Sequence, residues 1–187
     1  NVLFIAVDHL RTELACYGAK THTPNIDRLA ASGVRFDRAY CNQSVCGACR
    51  VSLMMGLYPE FTGERTYHVN GWRKRWSDVT TLNQHFKTNG YTTVGLGKIY
   101  HGASGEGVDP DSLKEMRERN GRKRGPSTEA AERPDDSHAD GNRAKVGAAR
   151  IYQLAKAGKP FFLAVGFTKP HLPFVAAKKY WNLYQRD

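Results

Sequence analysis

Residues Val2-Leu3-Phe4-Ile5-Ala6-Val7 form an unbroken apolar run that stops at Asp8-His9. Such a run, with three β-branched residues, reads as a strand covered on both faces, as in a parallel sheet. A carboxylate just past its end sits where open α/β sheets place ligand groups. The same position also suits an Asp that caps the next turn. The pattern recurs twice. Tyr91 to Leu96 empties into Gly97-Lys98-Ile99-Tyr100-His101, and Phe161-Phe162-Leu163-Ala164-Val165 empties into Thr168-Lys169-Pro170-His171-Leu172-Pro173.

Helical signals separate these runs. Thr23 suits an N-cap, Pro24 the first helical position and Gly33 the C-terminal stop, with Ile26, Leu29 and Ala30 turned to the core. A second helix is expected from Cys46 to about Gly56, and a third from Thr80 or Thr81 to Gly90. Ala148, Ile151, Tyr152 and Ala155 recur at helical spacing, which places an amphipathic helix over 143–157. Val34 to Tyr40 reads as a further strand. The alternation predicts an α/β fold with a largely parallel central sheet flanked by helices. The strand ends then bring Asp8/His9, Lys98/His101 and Lys169/His171 to one side of the sheet.

Residues 103–141 break the pattern. Their only large apolar residues are Val108, Leu113 and Met116 among dense charge of both signs, so an exposed, partly disordered insertion is expected. The formal net charge of +10 favours an anionic partner. No apolar run approaches the ~20 residues of a membrane span. Asn1 to Val7 lack the basic start and small-residue cleavage site of a signal peptide, so none is expected in this chain. The four cysteines (16, 41, 46 and 49) are too unevenly spaced for a disulfide scaffold.

The stretch Cys46-Gly47-Ala48-Cys49-Arg50 carries the chemistry. If Cys46 opens a helix, Arg50 lies on the same face one turn later. A helix N-terminus and a guanidinium both favour negative charge, so the pair describes an anion site around a cysteine-derived group. Together with Asp8, the lysines and the histidines, the set suits a tetrahedral oxyanion beside a divalent metal. Lys and Arg neutralise its oxygens, Asp holds the cation and a His protonates the leaving group. Other readings compete. Cys46 to Cys49 is also C-x-x-C, a redox pattern. Cys41, Cys46 and Cys49 lack a nearby fourth ligand for zinc. Trp72-Arg73-Lys74-Arg75-Trp76 and the basic cluster at 117–124 could meet phosphates and stack bases, or line a substrate mouth, or be solvated loops.

These blocks, in this order, resemble the type I, formylglycine-dependent sulfatase family, most of all its iduronate-2-sulfatase branch. The likeness rests on Asn1 to Asp8, Tyr17-Gly18, Thr23 to Ala30, the Cys46 stretch, Asn89-Gly90-Tyr91, Gly97-Lys98 to His101, Pro160 to Gly166 and Lys169 to Phe174. The resemblance implies an alkaline-phosphatase-like fold, here the N-terminal portion of a catalytic domain over 1–187. It implies a sulfuric ester hydrolase that removes sulfate from a sulfated carbohydrate or related ester. Cys46 would be converted to formylglycine, whose hydrate attacks sulfur with one hydroxyl; the second hydroxyl then expels sulfate. Asp8, His9 and Cys46 would form the metal side, with Ca²⁺ or another divalent ion. Arg50 would hold the formylglycine, Lys98 contact sulfate and nucleophile, His101 orient the hydrate, and His171 meet the sulfate or leaving oxygen, with Lys169 beside it. The implied partners are a sulfated substrate and a formylglycine-generating or anaerobic sulfatase-maturating enzyme, and not nucleic acid. The implied location is outside the cytoplasm: periplasmic, extracellular or lysosomal.

The sequence departs from the family pattern at several places. His9 stands where a second aspartate is usual, Ala48 and Cys49 where proline and serine are, and Met55-Gly56-Leu57 replaces Thr-Gly-Arg. Histidine is a softer ligand than Ca²⁺ prefers. A sulfatase-like protein without turnover is therefore the rival expectation, and the 187 residues by themselves are expected to be inactive.

Overall fold

The computed structural model describes residues 1–69, 71–101 and 126–184. In chain order these form β1 (Val2–Val7), α1 (Pro24–Ser32), α2 (Cys46–Met55), α3 (Pro59–Thr62), α4 (Trp72–Arg75), α5 (Leu82–Thr88) and β2 (Thr92–Gly97). After them come β3 (Thr128–Ala131), α6 (Ala139–Lys156), β4 (Phe161–Phe167), β5 (Phe174–Ala177) and α7 (Lys178–Trp181). Strands β1, β4 and β2 form a parallel sheet with β4 in the middle, and β3 and β5 form a separate parallel pair.

The two faces of β4 explain the layering. Successive side chains of a strand point to opposite sides. Phe162 and Ala164 join Val51, Met54 and Met55 of α2, Trp72 of α4, and Ile99 and Tyr100 in one core. Phe161, Leu163 and Val165 join Val94 and Leu154 in the other, where α6 covers β2 and β4. α5 begins with a reciprocal cap. The Thr81 hydroxyl accepts from Gln84 N, and the Gln84 side chain accepts from Thr81 N.

Several expectations are corrected. The two-sided cover read into β1 belongs to β4. In β1, Val2 and Phe4 pack on the first core, but Leu3 and Ile5 are 46% and 50% exposed because α6 packs on β2 and β4 instead. α1 forms over its expected span, yet Ile26 and Leu29 are exposed and no residue of it is buried. The Thr23 hydroxyl does not cap α1; it accepts from Ala15 N at 3.0 Å and donates to Asp27. Val34 to Tyr40 is irregular, with Val34, Phe36 and Tyr40 exposed. Its apolar residues meet no sheet neighbour among the described residues, and a strand needs one for its backbone groups.

Trp72 to Arg75 is a helical turn rather than a loop, with Trp72 only 1% exposed and stacked on Tyr100. Arg73 donates to the carbonyls of Trp76 and Val79, and Arg75 pairs with the buried Glu64. These residues therefore brace the fold, and Trp72 offers no face for base stacking. The 117–124 cluster lies outside the described residues. So do residues 103–125 of the expected insertion; the remainder of it carries β3, a helical turn at Asp135–Ser137 and the start of α6.

Candidate active site at the strand ends

The site is built at the C-terminal ends of the three parallel strands. Asp8 extends the ladder one residue past β1, its backbone N donating to Phe167 O at 3.1 Å. Its carboxylate is buried and held by two cations. Arg50 Nη2 donates to Oδ1 at 3.1 Å, and Lys98 Nζ donates to Oδ2 at 2.5 Å. Burial opposes ionisation of Asp8, but the hydrogen bonds and charges of Lys98 and Arg50 outweigh it and hold the carboxyl below its ordinary range.

α2 supplies the next groups. Cys46 is its first residue, and Val45 caps it without a side-chain bond. Gly47 lets this turn pack closely, since a Cβ there would lie 2.8 Å from both Cα and O of Tyr67. Arg50, one turn on, reaches back across the sheet edge. Its Nη1 donates to the backbone carbonyls of Lys98 and, at 3.1 Å, Ile99. One guanidinium thus ties α2, the end of β1 and the segment after β2 together, using its rigid fork of donors.

The segment after β2 crosses β4 at two glycines. Gly97 has φ of 73°, and a Cβ there would lie 2.2 Å from Gly166 O; a Cβ on Gly166 would lie 2.0 Å from Lys98 O. This crossing brings Lys98 to Asp8 and His101 to α2. Cys46 Sγ lies 3.2 Å from His101 Nδ1. Burial, then the charge of Lys98, push the His101 imidazolium pKa down, with Asp8 acting the other way. His101 therefore favours its neutral form near pH 7.

The third strand end brings His171. Its Nδ1 is 2.7 Å from Leu172 O. A carbonyl only accepts, so Nδ1 carries a proton. The His9 and His171 rings lie 4.5 Å apart, and ligand atoms of Asp8, His9 and His171 all lie within 4.8 Å of one another. His9 reaches this place with φ of 59°, in the left-handed region. One buried carboxylate and two imidazoles fit a divalent metal that accepts nitrogen ligands. The structure groups His171, rather than Cys46, with Asp8 and His9. Lys169 turns its ammonium on to its own loop, donating to the carbonyls of His171, at 2.8 Å, and Pro173.

Comparison with known proteins decides the family. The sulfatase family model matches residues 1–187. The chain belongs to the sulfatase family. It is 35% identical to iduronate 2-sulfatase of Homo sapiens over 98% of its own length and 37% of that enzyme's. It therefore spans well under half of that relative. A solved 2-O GAG sulfatase shares 27% identity with a TM-score of 0.68, covering 91% of this chain and 35% of that one. The phosphonate monoester hydrolase of Agrobacterium radiobacter, at 22% identity, shares the fold with a TM-score of 0.77, covering 99% of this chain and 44% of that one. The sheet and its helices are part of an alkaline-phosphatase-like fold.

Two contributors to this candidate site are hard to see in sequence. The carbonyls of Lys98 and Ile99 anchor Arg50, and a backbone acceptor leaves no residue-type signal. Asp140, in the first turn of α6, accepts from the backbone N–H of Thr168 and Lys169, at 3.0 and 2.7 Å, and from Arg143. It fixes the loop that carries His171. An acidic residue in a first helical turn is the signal that points to it, but it lay in the stretch read as a polar insertion.

Proposed function

We propose that the chain is the N-terminal part of a sulfuric ester hydrolase acting on a sulfated carbohydrate. The observation that carries this reading is the convergence of Asp8, Cys46, Arg50, Lys98, His101 and His171 at one sheet edge in a sulfatase-family chain. The relatives named for iduronate and for a GAG support the carbohydrate class.

Each side chain has a role that its contacts suit. Conversion of Cys46 to formylglycine by a maturation enzyme, of the formylglycine-generating or anaerobic type, would place a hydroxyl nucleophile in the first turn of α2. Neutral His101 is set to accept a hydrogen bond from that hydroxyl and orient it. Arg50 fixes the turn. Lys98 uses one donor on Asp8 and has further donors for sulfate oxygens. His171 belongs to the same cluster. Asp8, His9 and His171 would hold the divalent ion, which would supply Lewis-acid stabilisation of the sulfate oxygens. Ca²⁺ is the family-based expectation; two imidazoles favour an ion that tolerates nitrogen. An exported location belongs to the same reading. No helix among the described residues is long and apolar enough to cross a membrane.

A second reading, a sulfatase-like protein without turnover, is favoured by His9, Ala48 and Cys49 at the site itself. Mass spectrometry of the Cys46 peptide from the native host separates the two. Conversion of thiol to aldehyde lowers the mass by about 18 Da. That loss, with sulfate release by the intact protein, supports the hydrolase. An unmodified thiol in all molecules, without sulfate release, overturns it.

A further inference from the structure

Cys46 opens α2 as a free thiol, and its sulfur lies 3.2 Å from His101 Nδ1. At that separation a nucleophile is within reach of a base. Burial, then Lys98, keep the His101 imidazole neutral, so it can take the thiol proton. The structure holds the pair in place from both sides. Arg50 ties α2 to the carbonyls of Lys98 and Ile99, in the same short stretch that delivers His101. Ile99 and Tyr100, just before His101, are buried; Trp72 stacks on the Tyr100 ring, and the Tyr100 hydroxyl donates to Asn83 at 2.6 Å. Cys46 and His101 are themselves only half-buried, which leaves them open to a small molecule. The end of the helix adds a third element. The Cys49 N–H donates to Val45 O at 2.9 Å. The N–H groups of Cys46, Gly47 and Ala48, ahead of it, have no acceptor within this ten-residue helix. They surround the thiol at its base, where an oxyanion forming on an attacked carbonyl gains from donors already in place.

We infer that the chain, with Cys46 left as a thiol, hydrolyses small activated acyl esters through a Cys46–His101 nucleophile and base pair. The Cys46 thiol gives its proton to His101 as the sulfur bonds to the ester carbonyl carbon. The N–H groups at the end of α2 hold the carbonyl oxygen while it carries negative charge. The ester C–O bond then breaks, and the leaving alcohol or phenol takes the proton from His101. A water molecule next gives a proton to His101 as its oxygen bonds to the acyl carbon. The C–S bond breaks, the acid departs, and the sulfur recovers the proton. Ester and water have become acid and alcohol, with no oxidant or reductant consumed. The inference does not rest on the sulfatase reading. Sulfate release needs Cys46 as an aldehyde hydrate, whereas acyl transfer needs it as a thiol, so the two activities belong to different forms of one residue.

The test produces the chain without a maturation enzyme, verifies the unmodified Cys46 thiol by peptide mass, and adds p-nitrophenyl acetate. A burst of p-nitrophenolate followed by sustained release is expected, with an acetyl group mapped to Cys46 in acid-quenched samples. Cys41, which is exposed, is the internal reference thiol. Cys46 should be acetylated at least about tenfold faster than Cys41. His101→Gln should slow acetylation of Cys46 by about 100-fold and leave that of Cys41 unchanged. Cys46→Ala should abolish the sustained release. Equal acetylation rates at Cys46 and Cys41 in the wild-type chain overturn the inference, as does a burst without sustained release in which the acetyl group stays on Cys46. Both readings come from the wild-type chain, so a misfolded variant leaves the test intact. Sulfate release by matured protein is measured separately, so failure here and failure of the sulfatase reading are distinct results.

Discussion

The Arg50 guanidinium donates to Asp8 Oδ1 at 3.1 Å, across 42 residues of sequence, with both side chains almost fully buried. Removing one partner of a buried pair leaves the other charge uncompensated, at a cost of about 3–5 kcal/mol. Arg50→Ala should lower the unfolding free energy by that order in urea titrations. Arg50→Lys should recover only part of it, because an ammonium cannot serve Asp8 and the Lys98 and Ile99 carbonyls with one planar fork.

Gly47 has no room for a side chain, since a Cβ would sit 2.8 Å from the backbone of Tyr67. Gly47→Ala must move that backbone or the first turn of α2. A loss of about 1–3 kcal/mol is expected in thermal melts, along with poorer conversion of Cys46 measured by peptide mass. An unchanged melting temperature would show that the Tyr67 segment yields freely.

His9 stands where a carboxylate would suit an oxygen-preferring cation. His9→Asp should strengthen Ca²⁺ binding by the intact protein at least several-fold in calorimetric titration, and weaken binding of Zn²⁺ relative to Ca²⁺. Equal Ca²⁺ affinity in both forms would remove His9 from the ligand set.

The Cys49 thiol has its pKa raised by burial, then by Cys41. A raised value keeps the proton on in the folded state. Its contribution to stability is fully present below the ordinary thiol value of about 8.5 and is lost as pH climbs through the folded value. In the reduced protein, Cys49 should therefore react with iodoacetamide more slowly than Cys41 at pH 8, and the gap should narrow at higher pH. Site-resolved labelling rates by mass spectrometry check this.

The 187-residue chain covers 37% of human iduronate 2-sulfatase. Purified as such, it is expected to release no sulfate from aryl or sugar sulfates. Clear turnover, lost on Cys46→Ala, would overturn that expectation.

Much of the site was legible because its residues sit at strand ends, and strand ends are marked in sequence by where apolar runs stop. Asp8, Lys98 and His171 were found that way, and Arg50 from its helical spacing to Cys46. What stayed hidden depends on neighbours. Leu3 and Ile5 look like Phe162 and Leu163 in sequence, yet only β4 is flanked by strands on both sides among the described residues. Trp72 reads as a ligand-facing aromatic until Tyr100 and α2 are placed against it.

The Asp8 carboxylate is shared between two masters. A cation held by Asp8, His9 and His171 would share the Asp8 carboxylate with Lys98, whose ammonium already donates to Oδ2, and would weaken that ammonium's hold. A loosened ammonium is a better host for a sulfate oxygen, and an anion that engages Lys98 in turn leaves Asp8 freer for the cation. If both places are filled as proposed, their occupancy would be linked with positive cooperativity. By thermodynamic reciprocity, whatever factor the cation adds to anion affinity, the anion returns to the cation.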